Sequence, residues 1–101
     1  FKKVAPFIAD HATFWFTDGE YSGKSDIVKA FEDAWTKIQN EIYTISDVQW
    51  INSNYWAASC TYRFKSNNKI EGKRQIYKGR GTSVLRRIDG SWRIVHKHLS
   101  K

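Results

Sequence analysis

Apolar residues recur at Ile27, Ala30, Phe31, Ala34, Trp35 and Ile38. Steps of three and four place them on one stripe of an amphipathic helix. Lys29, Glu32, Asp33, Lys37 and Gln39 take the opposite side. Ser25 is a natural cap for its start, Asp26 suits the positive end of the helix dipole, and Asn40 is a reasonable stop. Beyond Ile42 the period falls to two. Tyr43, Ile45, Val48 and Trp50 occupy faces that shift part-way, which predicts a strand with a bulge near Asp47. Next, Ala58, Cys60, Tyr62 and Phe64 alternate with Ser59, Thr61, Arg63 and Lys65. Turns are expected at residues 52–54 and 66–69. Residues 70–88 are long for one strand, and the glycines inside it, Gly79 and Gly81, predict a bulge or bend.

Residues 79–100 hold the clearest turn signal. Asp89-Gly90 suits a type I′ hairpin, whose two central residues both need φ > 0. Before it, Thr82, Val84, Arg86 and Ile88 alternate with Ser83, Leu85 and Arg87; after it, Trp92, Ile94, His96 and His98 alternate with Arg93, Val95, Lys97 and Leu99. Both faces mix apolar and polar residues, so a sheet covered on both sides is expected. At the other end, Phe1, Val4, Ala5 and Ile8 have helical spacing, but Pro6 allows only a short helix or the tail of one. Asp10-His11 reads as a turn, residues 12–17 as an aromatic strand, and Asp18-Gly19 as a hairpin returning through Glu20 and Tyr21. Helix fragment, hairpin, helix and then four antiparallel strands make an α+β fold: a strongly curved sheet wrapped over one long helix.

Composition narrows the function classes. A chain of 101 residues forms one domain, spanning 1–101. A single cysteine, Cys60, excludes an internal disulfide and a Cys-rich zinc site. There is no apolar run long enough for a membrane span and no signal peptide, so a cytoplasmic location is expected. The chain opens on Phe1 and contains no methionine, so residues are expected upstream. Net charge is +7 and uneven: residues 1–62 carry 5 Lys/Arg against 8 Asp/Glu, residues 63–101 carry 12 against 2. That asymmetry admits an anionic small ligand or nucleic acid, although a solvated basic sheet edge accounts for it more simply.

Three motifs resemble one family. They are Ala9-Asp10-His11-Ala12-Thr13-Phe14, then Gly19 with Tyr21, Gly23, Lys24 and Ile27, then Arg80-Gly81-Thr82 with Arg86-Arg87, Asp89-Gly90, Trp92, Arg93-Ile94-Val95-His96, His98 and Ser100. Together they resemble the SnoaL-like group of the nuclear transport factor 2-like superfamily. The ending is also similar to the association domain of calcium/calmodulin-dependent kinase. The resemblance implies a cone-shaped, curved, mostly antiparallel (mixed) sheet around one long helix, preceded by a helix that is short or truncated here. It implies a pocket between helix and sheet, and a homodimer through the sheet's outer face. Carried over strand by strand, the inner face is Phe14, Phe16, Cys60, Tyr62, Phe64, Tyr77, Gly79, Gly81, Ser83, Leu85, Arg93, Val95, Lys97 and Leu99, roofed by Phe31 and Trp35. The outer, dimer-forming face carries Arg63, Arg80, Thr82, Val84, Trp92, Ile94, His96 and His98.

Enzymatic chemistry carries over poorly. The carboxylates of ketosteroid isomerases of this fold fall at Phe16 and about Gly81, neither of which is an acid. The carboxylate-binding arginines of the kinase domain fall at Ser83 and Leu99. Among inner residues, Lys97, Tyr62 and Tyr77 are the catalytic candidates: an amine among apolar side chains is a candidate base or nucleophile, and phenols donate hydrogen bonds. His96 and His98 share a face at a spacing metals use, but no third ligand is evident beyond His11, so no metal or cofactor is expected. The favoured reading is a pocket protein for an apolar or aromatic small molecule, contacted by Phe14, Phe16, Phe31, Trp35, Cys60, Tyr62, Phe64, Tyr77, Ser83, Lys97 and Leu99. An isomerase, cyclase or dehydratase using the same pocket is the alternative, and a basic nucleic-acid-binding module the third reading.

Overall fold

The computed structural model describes residues 4–101, apart from the side chains of Trp35, Gln39 and Asn40. A 3₁₀ turn, Ala5–Phe7, leads into β1 (Ile8–Phe16) and β2 (Gly19–Ser22). One helix follows, α1 (Lys24–Trp35), then β3 (Ile38–Ser53), β4 (Ala57–Ile70), β5 (Lys73–Ile88) and β6 (Ser91–Ser100). The strands form one six-stranded sheet in the order β2-β1-β6-β5-β4-β3. β1 and β6 run parallel and every other pair is antiparallel, so the sheet is mixed and the fold is α+β.

The core lies under one end of the sheet. Ile8, Ala9, Ala12 and Phe14 of β1 close against Ile27 of α1, with Phe16, Tyr21, Phe31, Ile88, Ile94 and Val95 packed around them. The helix lies against β1 and β2 and barely reaches β3. β3, β4 and β5 therefore run on as a long ribbon, and the molecule measures 44 × 29 × 22 Å. Its radius of gyration is 14.1 Å, slightly above the ~13 Å usual for a domain of ~100 residues.

The turns show which local signals prevail. Asp89 and Gly90 adopt φ of 50° and 79°, as the hairpin chemistry predicts. Asp47 also has positive φ, 54°, where the β3–β4 register shifts between Ser46 and Gln49, so the expected bulge is present. Residues 66–69 do not turn. They stay in β4 because Asn68 Nδ2 donates to Ser66 Oγ (2.8 Å) and Arg74 Nη1 donates to Asn67 Oδ1 (2.8 Å). The reversal is made instead by Glu71 and Gly72, with φ of 53° and 77°. At the β3–β4 connection, Asn54 Oδ1 accepts from the backbone N–H of Trp56 (2.8 Å) and Ala57 (2.9 Å), a side-chain-closed turn.

Four further expectations are corrected. β1 begins at Ile8, since Ile8 pairs with Ile94 and the irregularity around Asp10-His11 is a register shift within the strand. The helix starts after Gly23, with no side-chain cap from Ser25, and ends at Trp35. Ile38 is drawn into β3 by pairing with Ile70, and Thr36 Oγ1 donates to the Asp33 carbonyl (2.7 Å) at the helix end. Gly79 and Gly81 mark no bulge, because the β4–β5 register is unbroken through both. Finally, the β5–β6 register shifts between Val84 and Leu85, leaving Val95 as the extra residue. One inserted residue reverses the alternation beyond it. Trp92 and Ile94 therefore lie on the inner face and Arg93 on the other, the reverse of the expected placement.

Candidate functional site

The inner face of the ribbon carries a cavity of about 220 Å³ lined by Ile45, Val48, Cys60, Tyr62, Ser83, Leu85, Ile94 and Lys97. Strand register brings these side chains together. Cys60 stands opposite Ser83, Ser83 opposite Lys97, and Leu85 opposite Ile94. The bulge at Asp47 turns Val48 inward beside Ile45. At the base of the cavity the Tyr62 and Ser83 hydroxyls share a buried hydrogen bond of 3.1 Å. Lys97 Nζ lies 5.8 Å from the Tyr62 ring centroid. A hydroxyl pair and one ammonium thus sit among aliphatic walls, the arrangement that fixes the orientation of a mostly apolar ligand. A second hollow of about 380 Å³ adjoins it across Leu85, between Trp50 and Trp92.

The residues expected from the sequence divide into groups. Cys60, Tyr62, Ser83 and Lys97 meet in the cavity. Phe14, Phe16 and Phe31 pack edge to face on one another, with centroids 5.9 to 6.1 Å apart, and belong to the closed core. Phe64 stacks on Tyr43 at 5.8 Å. Tyr77 lies under the Lys101 ammonium, 4.1 Å from its ring centroid, away from Lys97. Leu99 packs over Gly81. The expected roof residue Trp35 has a side chain outside the described residues. Ile45, Val48 and Ile94 lie outside the inner face that the sequence predicts, and Leu85 lies on that face but outside the predicted contacts. The bulge near Asp47 was the signal for the first two, whereas Ile94 gave none, since its face depends on pairing across β5.

Polar groups elsewhere on the sheet are tied down. Ser66 Oγ donates to Glu41 (2.7 Å), and His96 Nδ1 shares a 2.8 Å hydrogen bond with Thr13 Oγ1. Among the described residues no three His, Cys, Asp or Glu side chains gather as a metal-binding set. Burial, then Tyr62 and Glu41, pushes the Tyr43 hydroxyl up to about 12. The unfolded chain then loses that proton first, so the stability Tyr43 contributes is complete below pH 10 and disappears as pH climbs towards 12. Tyr21, raised by burial and then by Asp18, acts in the same sense. Urea melts between pH 9 and pH 12 are expected to show a falling midpoint whose slope is smaller in Tyr43→Phe.

A profile of the SnoaL-like domain matches residues 1–101. The chain belongs to the SnoaL-like family. No curated protein matches it by sequence. Among solved structures, a provisionally assigned aromatic ring hydroxylase of Novosphingobium aromaticivorans superposes with a TM-score of 0.88 at 14% identity, covering 98% of this chain and 72% of that one. A nuclear transport factor 2-like superfamily protein of Salmonella enterica serovar Typhimurium gives 0.83 at 21% identity, covering 93% and 70%. A provisionally assigned calcium/calmodulin-dependent protein kinase II association domain of Xanthomonas campestris gives 0.83 at 22%, covering 97% and 71%. At these identities the likeness establishes a shared fold: among the described residues, one helix against a curled six-stranded sheet.

Proposed function

We propose that this SnoaL-like domain binds an apolar or aromatic small molecule carrying one negative charge, in the cavity between β3 and β6. The observation that carries the reading is the lone Lys97 ammonium beside the Tyr62–Ser83 hydroxyl pair, in a cavity otherwise walled by Ile45, Val48, Leu85 and Ile94. The aliphatic walls supply affinity, and Lys97 selects a carboxylate or phenolate. Fluorescence titration with 2-naphthoate and with uncharged 2-methylnaphthalene tests it. Both are expected to bind, and Lys97→Met is expected to weaken naphthoate about tenfold, or ~1.4 kcal/mol, while leaving the hydrocarbon unchanged. Equal loss for both probes, or binding of neither, counts against the reading.

The same side chains support an enzymatic alternative of the isomerase, cyclase or dehydratase type. Lys97 and Tyr62 line one cavity, with Lys97 Nζ 5.8 Å from the Tyr62 ring centroid, so an amine and a phenol face the same space as candidate acid and base. Tyr77 drops out, since it lies with Lys101 instead. As part of the same reading we place the protein in the cytoplasm; no helix among the described residues is long and apolar enough to cross a membrane.

Self-association through the outer face belongs to the proposal as well. With Trp92 and Ile94 on the inner side, the apolar contribution comes from Val84 and from Trp15, which is 44% exposed and packs against His96 and His98 at 5.0 and 5.9 Å. Sedimentation velocity is expected to resolve a dimer that Trp15→Glu shifts towards monomer.

A further inference from the structure

The hollow of about 380 Å³ beside the ligand cavity owes its depth to a gradient of side-chain size. Along the inner face of β4, towards the β3–β4 turn, Phe64 and Tyr62 give way to Cys60 and then to Ala58. Ala58 is buried between its register partners Leu85 and Ser53, and its single methyl leaves the floor low. Trp50 stands on one side of that floor from β3, and Trp92 on the other from β6. Leu85 lines both this hollow and the Lys97 cavity, so a ligand lying over Leu85 reaches the two together.

The walls are set before any ligand arrives. The Arg87 guanidinium contacts the Tyr55 and Trp92 rings, 4.3 and 4.8 Å from their centroids, and its Nε donates to the Tyr55 carbonyl (2.9 Å). Cation–π contact on that side holds the Trp92 ring in place. The turn at the far end is committed as well, since Asn54 Oδ1 accepts from the N–H groups of Trp56 and Ala57. A preorganised wall costs little to order when a ligand binds. Register gives the span. Trp50, Cys60, Ser83 and Lys97 stand in one row across four strands, and Ala58 and Leu85 lie one inward-facing position further along. With strands about 4.8 Å apart and residues ~3.3 Å apart along them, the backbone of Lys97 lies on the order of 12 Å from that of Ala58. Two indoles flanking an apolar floor favour a flat ring, through stacked or edge-to-face contact. We propose that the hollow is a second subsite, which takes the planar far end of an elongated aryl acid, with Trp50 and Trp92 deciding how long a ligand is accepted. The proposal rests on the reading of Lys97 as the group that selects the anion.

Fluorescence titration with 6-phenyl-2-naphthoate beside 2-naphthoate tests it, because the longer acid adds one ring along the same axis. That ring is expected to tighten binding about tenfold. Trp50→Ala is expected to abolish the gain and leave 2-naphthoate unchanged; Trp50 is exposed, so the variant keeps the fold. Ala58→Val raises the floor and is expected to act in the same way, whereas Trp50→Phe keeps part of the gain. Lys97→Met is expected to weaken both acids alike. The subsite is overturned, with the Lys97 reading left standing, if 2-naphthoate binds but the longer acid binds no tighter, or if Trp50→Ala weakens both acids by the same factor. Binding of neither acid removes the Lys97 reading and the subsite with it. A dimer in sedimentation velocity that Trp50→Ala dissociates also overturns the proposal, since the hollow is then a contact between copies of the chain.

Discussion

Alanine at Gly79 is expected to lower the melting temperature more than any other single-methyl addition in the chain. Phe64 of β4 and the end of β6 lie directly over this position, so a Cβ built on Gly79 meets the Phe64 ring at 2.7 Å and collides with the carbonyl oxygen of Ser100. That oxygen belongs to the β5–β6 ladder through the Arg80–Ser100 pair, and it moves only if the end of the sheet moves with it. Gly81 is crowded differently. Its Cβ collides with the edge of the Tyr62 ring and falls 2.8 Å from Leu99, side chains that can rotate away in part. Overpacking costs about 1–3 kcal/mol, so Gly79→Ala belongs at the upper end and Gly81→Ala nearer the lower. At roughly 4–8 °C per kcal/mol for a domain of this size, the Gly79 variant should melt ~12–24 °C below the parent. A differential scan showing a loss of only a few degrees would mean that Phe64 does not lie flat over the glycine. Gly81→Ala carries a second expectation: displacing Tyr62 disturbs its hydrogen bond to Ser83, so ligand affinity falls together with stability.

How far these features were legible depends on whether each is governed by local or by cross-strand chemistry. The Asp89-Gly90 hairpin and the bulge at Asp47 are local, and both follow from the residues at the spot. The two-residue alternation of β4 and β5 likewise places Cys60, Tyr62, Ser83 and Leu85 on one face, half of the residues that line the candidate cavity. The turn after β4 was misplaced because Ser66-Asn67-Asn68 has a loop-like composition, whereas in the fold those polar side chains bond to one another and to Glu41 and Arg74. Ile38 has helical spacing but pairs with Ile70, a partner far away in sequence, and the pairing prevails. The faces of Trp92 and Ile94 were illegible for the same reason. A single extra residue at Val95 is visible only once β5 is known to lie beside it. The place of the aromatic residues is illegible too, because composition does not distinguish a ring that lines a cavity from one that fills a core.

That last distinction leads to the other large effect. Phe14→Ala is expected to remove about 3–5 kcal/mol, the usual cost of emptying a phenylalanine site in a closed core. Phe14 is 2% exposed and meets Phe16 and Phe31 edge to face, within the cluster that joins β1 to α1. Packing is looser along β3, where Ile45 is 50% exposed and Trp50 59%. Because domains of this size are stable by only about 5–15 kcal/mol, the loss takes a large share of the total. Urea melts give the size of the loss, and native-state hydrogen exchange shows where opening begins. Phe14→Leu keeps most of the volume and should cost less than about 1.5 kcal/mol. It also separates core from cavity. Phe14 is the register neighbour of Lys97, yet its ring turns towards Phe16 and Phe31, and the Lys97 cavity is lined without it. Naphthoate affinity should therefore survive Phe14→Leu and fall in Lys97→Met. If the leucine variant also loses the ligand, the aromatic cluster is part of the binding site and the cavity extends under the helix.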